Sequence, residues 1–160
     1  MTYPYRYISS WPLPSYKFVP GKNIHPNRPG GHMHGSPELI AAPIDLNKPE
    51  ENNFLRFSLD LYNHQFYWES HVYLEALWNS HKRIGPVADF LKGLIKLGAA
   101  GVKMNLGDHT EAREHLNRAK VLLESVQSAE GNNFLGFDLP ALIVRIDSGA
   151  EHFTIKPSWK

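Results

Sequence analysis

The sequence predicts an all-α protein, a compact helical bundle of two antiparallel helical hairpins (tetratricopeptide-like) carrying a proline-rich extended N-terminal arm. Three observations lead there. Nine of the twelve prolines fall within residues 1–49, which nearly excludes helix from that stretch. Residues 50–128 then place apolar side chains at helical spacing between short polar turns. Finally, that region contains a weak repeat at an offset of 42, in which Asn63 meets Asn105, Glu69 meets Glu111, Ser70 meets Ala112 and Leu74 meets Leu116. Stacked helical hairpins have this logic, but two units are fewer than a solenoid needs, so a compact bundle is expected.

The arm, residues 1–49, is not disordered in composition. Tyr3, Tyr5, Tyr7, Trp11, Tyr16 and Phe18 supply apolar area that disordered segments lack. We expect it to wrap over the helices in extended form. The bundle, residues 50–148, starts with a helix from about Pro49 to Tyr62, since proline suits a helix start. A break at Asn63-His64-Gln65 precedes a second helix to about Ser80. After the turn His81–Gly85, Pro86 opens a third helix to about Asn105, which Gly107 ends. Asp108 caps a fourth, with Glu111 in a capping-box arrangement. Gly131-Asn132-Asn133 reads as a turn, Pro140 to Ile146 as a short last helix, and residues 149–160 as a C-terminal tail.

Composition narrows the function. At 160 residues the chain suffices for one hydrophobic core and is short for two. A net charge of +1 creates no field for nucleic acid or a membrane surface. The absence of cysteine removes disulfides, thiolate metal sites and a thiol nucleophile. The aromatic, proline-broken start is no signal core, and the longest apolar region carries Lys92, Lys96 and Lys103. We therefore expect a soluble cytoplasmic protein whose partner is a small molecule, another protein or a second copy forming a homodimer.

The chemistry concentrates on the second helix. Trp68, His71, Glu75 and Trp78 share one face, while Phe66, Tyr73, Leu74 and Leu77 form another. A helix with one apolar face usually gives the other to water, and two tryptophans suit that poorly, so something covers them. His71 and Glu75, one turn apart, can ligate one cation or act as an oriented histidine–carboxylate pair. They are the candidate catalytic residues. Trp68, Trp78, Lys92 and Lys96 are the candidate ligand-binding residues, with either lysine reaching toward Glu75. The plainer readings are a structural polar pair, packing tryptophans and a solvated basic face. In the arm, His25, His32 and His34 lie within ten residues. His32 and His34 point the same way if extended, and such a cluster suits zinc, nickel or iron. His25 and His32 with His71 and Glu75 would make a four-ligand metal set. Glu69 and Glu111 need only the helix dipole to explain them.

Leu61-Tyr62-Asn63, Tyr67-Trp68-Glu69-Ser70-His71 and Leu74-Glu75-Ala76-Leu77-Trp78 resemble the signature of the domain-of-unknown-function family numbered 309. Phe90 to Leu97 and Gly136-Phe137-Asp138 resemble its later motifs, and Tyr16 to Gly21, His25-Pro26 and Gly31-His32 resemble the arm of longer members. The resemblance covers roughly residues 14–145 and implies a small all-α bundle. Some members carry the label predicted metal-dependent hydrolase, which would point to His71 and Glu75. The chain departs from the pattern at Val72, where an acid is usual beside His71, at Lys92 and Lys96, where glutamine is common, and at Gln65, where glycine is usual. A ligand or metal site at the His71/Glu75 face beneath the arm, which a metal-dependent hydrolase could use, is the leading expectation. A non-catalytic interaction module is its alternative.

Overall fold

Five helices follow the arm in the computed structural model, which describes residues 5–149 and 152–159. They are α1 (Asn53–Asn63), α2 (Tyr67–Ser80), α3 (Pro86–Asn105), α4 (His109–Glu130) and α5 (Leu139–Asp147). A 3-10 turn, Pro49–Glu51, leads into α1. Capping fixes several starts. The side chains of Asn52, Asp108 and Asp138 accept from the backbone N–H groups of Leu55, Glu111 and Ala141 at 3.0, 3.1 and 3.0 Å. The box expected at Asp108 is half made, because the Glu111 carboxylate turns to Lys103 Nζ at 2.5 Å instead.

The first three helices stop in the same way. After α1, Phe66 N–H returns to Leu61 O and Gln65 N–H to Tyr62 O. After α2, Arg83 returns to Trp78 and Lys82 to Asn79; after α3, Asp108 returns to Lys103 and Gly107 to Met104. Each closure needs a left-handed residue, supplied by Gln65 (φ 67°), Lys82 (φ 57°) and Gly107 (φ 77°). Gln65 thus stands, under strain, where glycine would be relaxed.

Consecutive helices pack on one another, α1 on α2, α2 on α3, α3 on α4 and α4 on α5. Missing side chains set the spacing. A Cβ at Gly101 would lie 2.5 Å from the Tyr67 ring, and one at Gly93 would lie 3.1 Å from Leu123. These glycines bring α3 against α2 on one side and α4 on the other. Leu59, Leu77, Phe90, Leu94, Leu97 and Leu123 fill the core between them. Among the described residues no helix is long and apolar enough to cross a membrane.

Two elements differ from expectation. Residues 133–138 form a hairpin, β1 (Asn133–Phe134) against β2 (Phe137–Asp138), with Phe134 opposite Phe137. Its turn residues Leu135 (φ 52°) and Gly136 (φ 86°) both have positive φ. Leucine is a poor residue for that geometry, which hid the turn from the sequence. The C-terminal segment is not a loose tail. Phe153, Ile155 and Pro157 are buried in alternation with outward neighbours, as in an extended chain. Asn63 acts as its backbone partner, donating to Ile155 O at 3.0 Å and accepting from Ile155 N–H at 2.7 Å. Trp159 Nε1 donates to Leu135 O at 2.8 Å, over the space that Gly136 leaves open.

The arm lies on the bundle with Tyr7, Ile8, Phe18 and Ile44 buried. Ile8 joins Phe57, Leu61 and Phe66 in a second apolar cluster, with Trp11, Leu13 and Tyr73 at its margin. Asp60 of α1, wholly buried, anchors it. Its carboxylate accepts from Tyr7 N–H at 2.6 Å, Ile8 N–H at 3.0 Å and Arg6 Nε at 2.9 Å.

Gly101→Ala is expected to lower unfolding stability by about 1–3 kcal/mol, because α3 must withdraw from Tyr67. Urea denaturation followed by tryptophan fluorescence measures it. An unchanged midpoint would mean that the two helices are not held at this distance.

Candidate functional site

The two tryptophans of the α2 stripe are covered, each by a different element. Trp68 meets Phe18 and His25 of the arm edge-on, with ring centroids 5.2 and 5.3 Å apart. Trp78 faces Lys92 Nζ of α3 at 4.7 Å and Arg83 at 4.9 Å. Lys92 therefore makes a cation–π contact and does not reach Glu75. Lys96 lies on the α4 side of α3, beside Asn117 and Arg118. Between the tryptophans, His71 Nε2 lies 2.9 Å from Glu75 Oε2. Both side chains are partly open to water, 35% and 47% exposed, so a buried polar pair is excluded.

The arm histidines go elsewhere. Hydrogen bonds from Arg28 and Asn27 to His25, from Gly31 to Arg28 and from Met33 to Pro26 knit residues 25–36 into a series of turns. A Cβ at Gly31 would lie 2.3 Å from Pro26 O, so the fold of this loop requires glycine there. The loop delivers His32 to Glu69, with Nε2 2.7 Å from Oε2. The same oxygen accepts from Phe18 N–H at 2.9 Å. Glu69 is 2% exposed, and its Oε1 is buried with no partner. Glu69 is thus a clamp on the arm, more than the helix-dipole residue the sequence suggested. His34, exposed, approaches only Asn27 O at 3.2 Å.

The proposed metal set His25, His32, His71 and Glu75 consequently does not converge. His32 pairs with Glu69, His71 with Glu75, and His25 stacks on Phe18 and Trp68. Among the described residues no group of three or more histidine or acidic side chains could hold an ion. The described residues do not fit a resident zinc, nickel or iron.

A third anchor is His81, at the end of α2. Its Nε2 accepts from Ile44 N–H at 2.9 Å, which requires the neutral ring. Burial pushes its pKa below the ordinary value. Sequence reasoning missed all three anchors. Asp60 alone left a signal, as a lone charge inside Phe57-Ser58-Leu59-Asp60-Leu61-Tyr62, every member of which is buried.

The arm and α2 also enclose a cleft of about 280 Å³. Asn27, Met33, Ser36, Glu38 and Leu39 line it from the arm, and Val72, Glu75, Ala76 and Asn79 from α2. It is a hydrogen-bonding cavity with an acceptor carboxylate on each wall.

Residues 55–115 match the family model Domain of unknown function (DUF309). The match covers nearly all of α1 through the first turns of α4 and bears out the resemblance there; the arm, the rest of α4, the hairpin, α5 and the C-terminal segment lie outside it. The matched segment contains Asp60, Glu69 and His81, which hold the arm, together with His71 and Glu75, but not the arm itself. No curated protein and no solved structure matches the chain.

Two outcomes test this arrangement. Glu69→Ala leaves the Phe18 N–H and the His32 ring without their acceptor and is expected to cost about 1–3 kcal/mol. Hydrogen exchange should show the Phe18 amide losing protection while core amides of α3 keep theirs. The second concerns pH. A histidine whose folded pKa is depressed binds its proton more readily when unfolded, so its stabilising effect is complete above about 6.5 and is lost as pH falls. Stability from urea titrations should fall between neutral pH and about pH 5, and His81→Gln, which keeps an acceptor, should flatten that slope.

Proposed function

We propose that the chain is a non-catalytic binding module that takes a ligand bearing an ammonium or guanidinium group in the cleft between the arm and α2. The observation that carries this reading is the cleft itself, with Glu38 on the arm and Glu75 on α2 as its charged groups. His71 Nε2 lies 2.9 Å from one Glu75 oxygen, and the other oxygen faces away from that contact. Asn27, Ser36 and Asn79 add acceptors, while Met33, Leu39, Val72 and Ala76 suit the methylenes of a basic side chain or polyamine.

Metal-dependent hydrolysis would require a metal to activate water, and the expected ligands stand apart. Binding without chemistry asks only for the cleft. The tetratricopeptide-like description belongs to the same reading. Leu74 and Leu116, equivalent in the repeat, are both buried, as are Ser70 and Ala112. So does the cytoplasmic location expected from the cysteine-free composition.

Calorimetric titration with spermidine and with Nα-acetyl-lysine amide tests the proposal. Saturable binding is expected, weakened about fivefold in Glu75→Gln, as for a partly exposed pair of ~1 kcal/mol. Equal affinity in the variant would overturn the reading. So would stoichiometric zinc, nickel or iron found by elemental analysis of protein purified without a histidine tag.

A further inference from the structure

On the far side of α3 lies a second concavity that the cleft reading does not use. It has a volume of about 410 Å³ and runs between α3 and α4, lined by Lys92, Lys96, Asn117, Arg118, Val121 and Leu122. We infer that this groove docks a short acidic amphipathic helix of a partner protein, with an apolar anchor on Val121 and Leu122 and carboxylates on Lys92, Lys96 and Arg118.

Charge complementarity argues for that occupant. Among the described residues, Lys103 and Lys120 on the same two helices each have a carboxylate partner, at 2.5 Å from Glu111 and 2.9 Å from Asp147. Among the described residues Lys96 and Arg118 have none within 4.0 Å, Lys92 has only the Trp78 ring, and no acidic residue lines the groove. Lys92 and Lys96 sit one turn apart, a like-charge spacing that destabilises a helix unless something opposes it. The Lys96 ammonium is disfavoured by burial and then by Lys92 and Arg118. His115, beside them, has its pKa lowered by burial and then by Lys96, Arg118 and Lys103, against a smaller opposing effect of Glu111. Its Nδ1 is buried without a partner.

The apolar part points to a peptide, since a free inorganic anion would gain nothing from it. Val121 is 66% exposed at the end of this basic cluster. The close approach of α3 and α4 at Gly93 leaves two helix flanks side by side, the geometry into which a third amphipathic helix lies with anchors at i, i+3 and i+4. Cation–π contact with Trp78 holds Lys92 at the groove's edge.

Selection from a library of random helical peptides on the full chain, counter-selected on the Lys96→Glu/Arg118→Glu double variant, tests the inference. Enriched sequences should carry Asp or Glu around Leu, Phe or Trp at helical spacing. Their affinity, read by fluorescence anisotropy, should drop at least about tenfold in the double variant and in Val121→Asp, and should weaken with rising salt. Circular dichroism melts confirm that the variants fold, and the exposed position of Val121 keeps that variant informative if the charge reversals unfold the chain. Glu75→Gln should leave this binding unchanged, which separates it from the arm cleft. The inference is overturned by enriched peptides without acidic residues, by binding that persists in Val121→Asp, or by competition from inorganic phosphate equal to that of an unlabelled selected peptide. A dimer in solution that Val121→Asp dissociates would also overturn it, by giving the groove to a second copy of the chain.

Discussion

Two buried carboxylates hold this structure together. Proline bars the arm from helix, and among the described residues the arm joins no sheet, so its buried N–H groups need acceptors from elsewhere. Asp60 and Glu69 supply them from α1 and α2. Each is removed from water, which is costly, and each recovers the cost through charge-assisted hydrogen bonds to two or three donors. Everything the arm covers depends on these bonds, including the second apolar cluster around Phe57, the shielding of Trp68 and the cleft beside Glu75. Asn63 does for the C-terminal segment what the carboxylates do for the arm, with a neutral amide offering both a donor and an acceptor.

A second constraint is the closeness of α3 to its neighbours. Tyr67 sits on Gly101 and Leu123 on Gly93, so α3 is the inner slab of the bundle. Its lysines then have few places to go. Lys92 lies over Trp78, Lys96 shares the groove between α3 and α4 with Arg118, and Lys103 finds Glu111. The result is a molecule of near-neutral net charge with two local surfaces of opposite sign. One is an acidic cleft where the arm crosses α2, the other a basic groove where α3 meets α4. Both arise from packing decisions in the core and not from any run of charge in the chain.

Helices were largely legible because their signals are local. Pro86 and Asp108 open α3 and α4, and glycine or polar turns close them where expected. The face of α2 with Trp68, His71, Glu75 and Trp78 was also legible, and His71 and Glu75 do meet. Less visible were features in which one residue serves a distant partner. Glu69 has an adequate local explanation at a helix start, so nothing in the sequence announces His32 and Phe18 as its partners. Leu135 is an unfavourable turn residue, tolerated because Trp159 and Ser158 from the C-terminal segment bond to the turn's carbonyls.

The sequence by itself determined the all-α class, the order and limits of the main helices, the non-helical arm and the histidine–carboxylate spacing on α2. These depend on proline geometry, capping chemistry and the helical period, all of which act over a few residues. Only the tertiary structure decided that Glu69 takes His32, that His25 stacks on Trp68 and that the four expected metal ligands stand apart. It also decided which carboxylates are buried clamps and which stay open to a ligand. The physical reason is that a buried polar group is defined by whichever donor the folded chain brings to it, and that donor here lies 37 to 54 residues away.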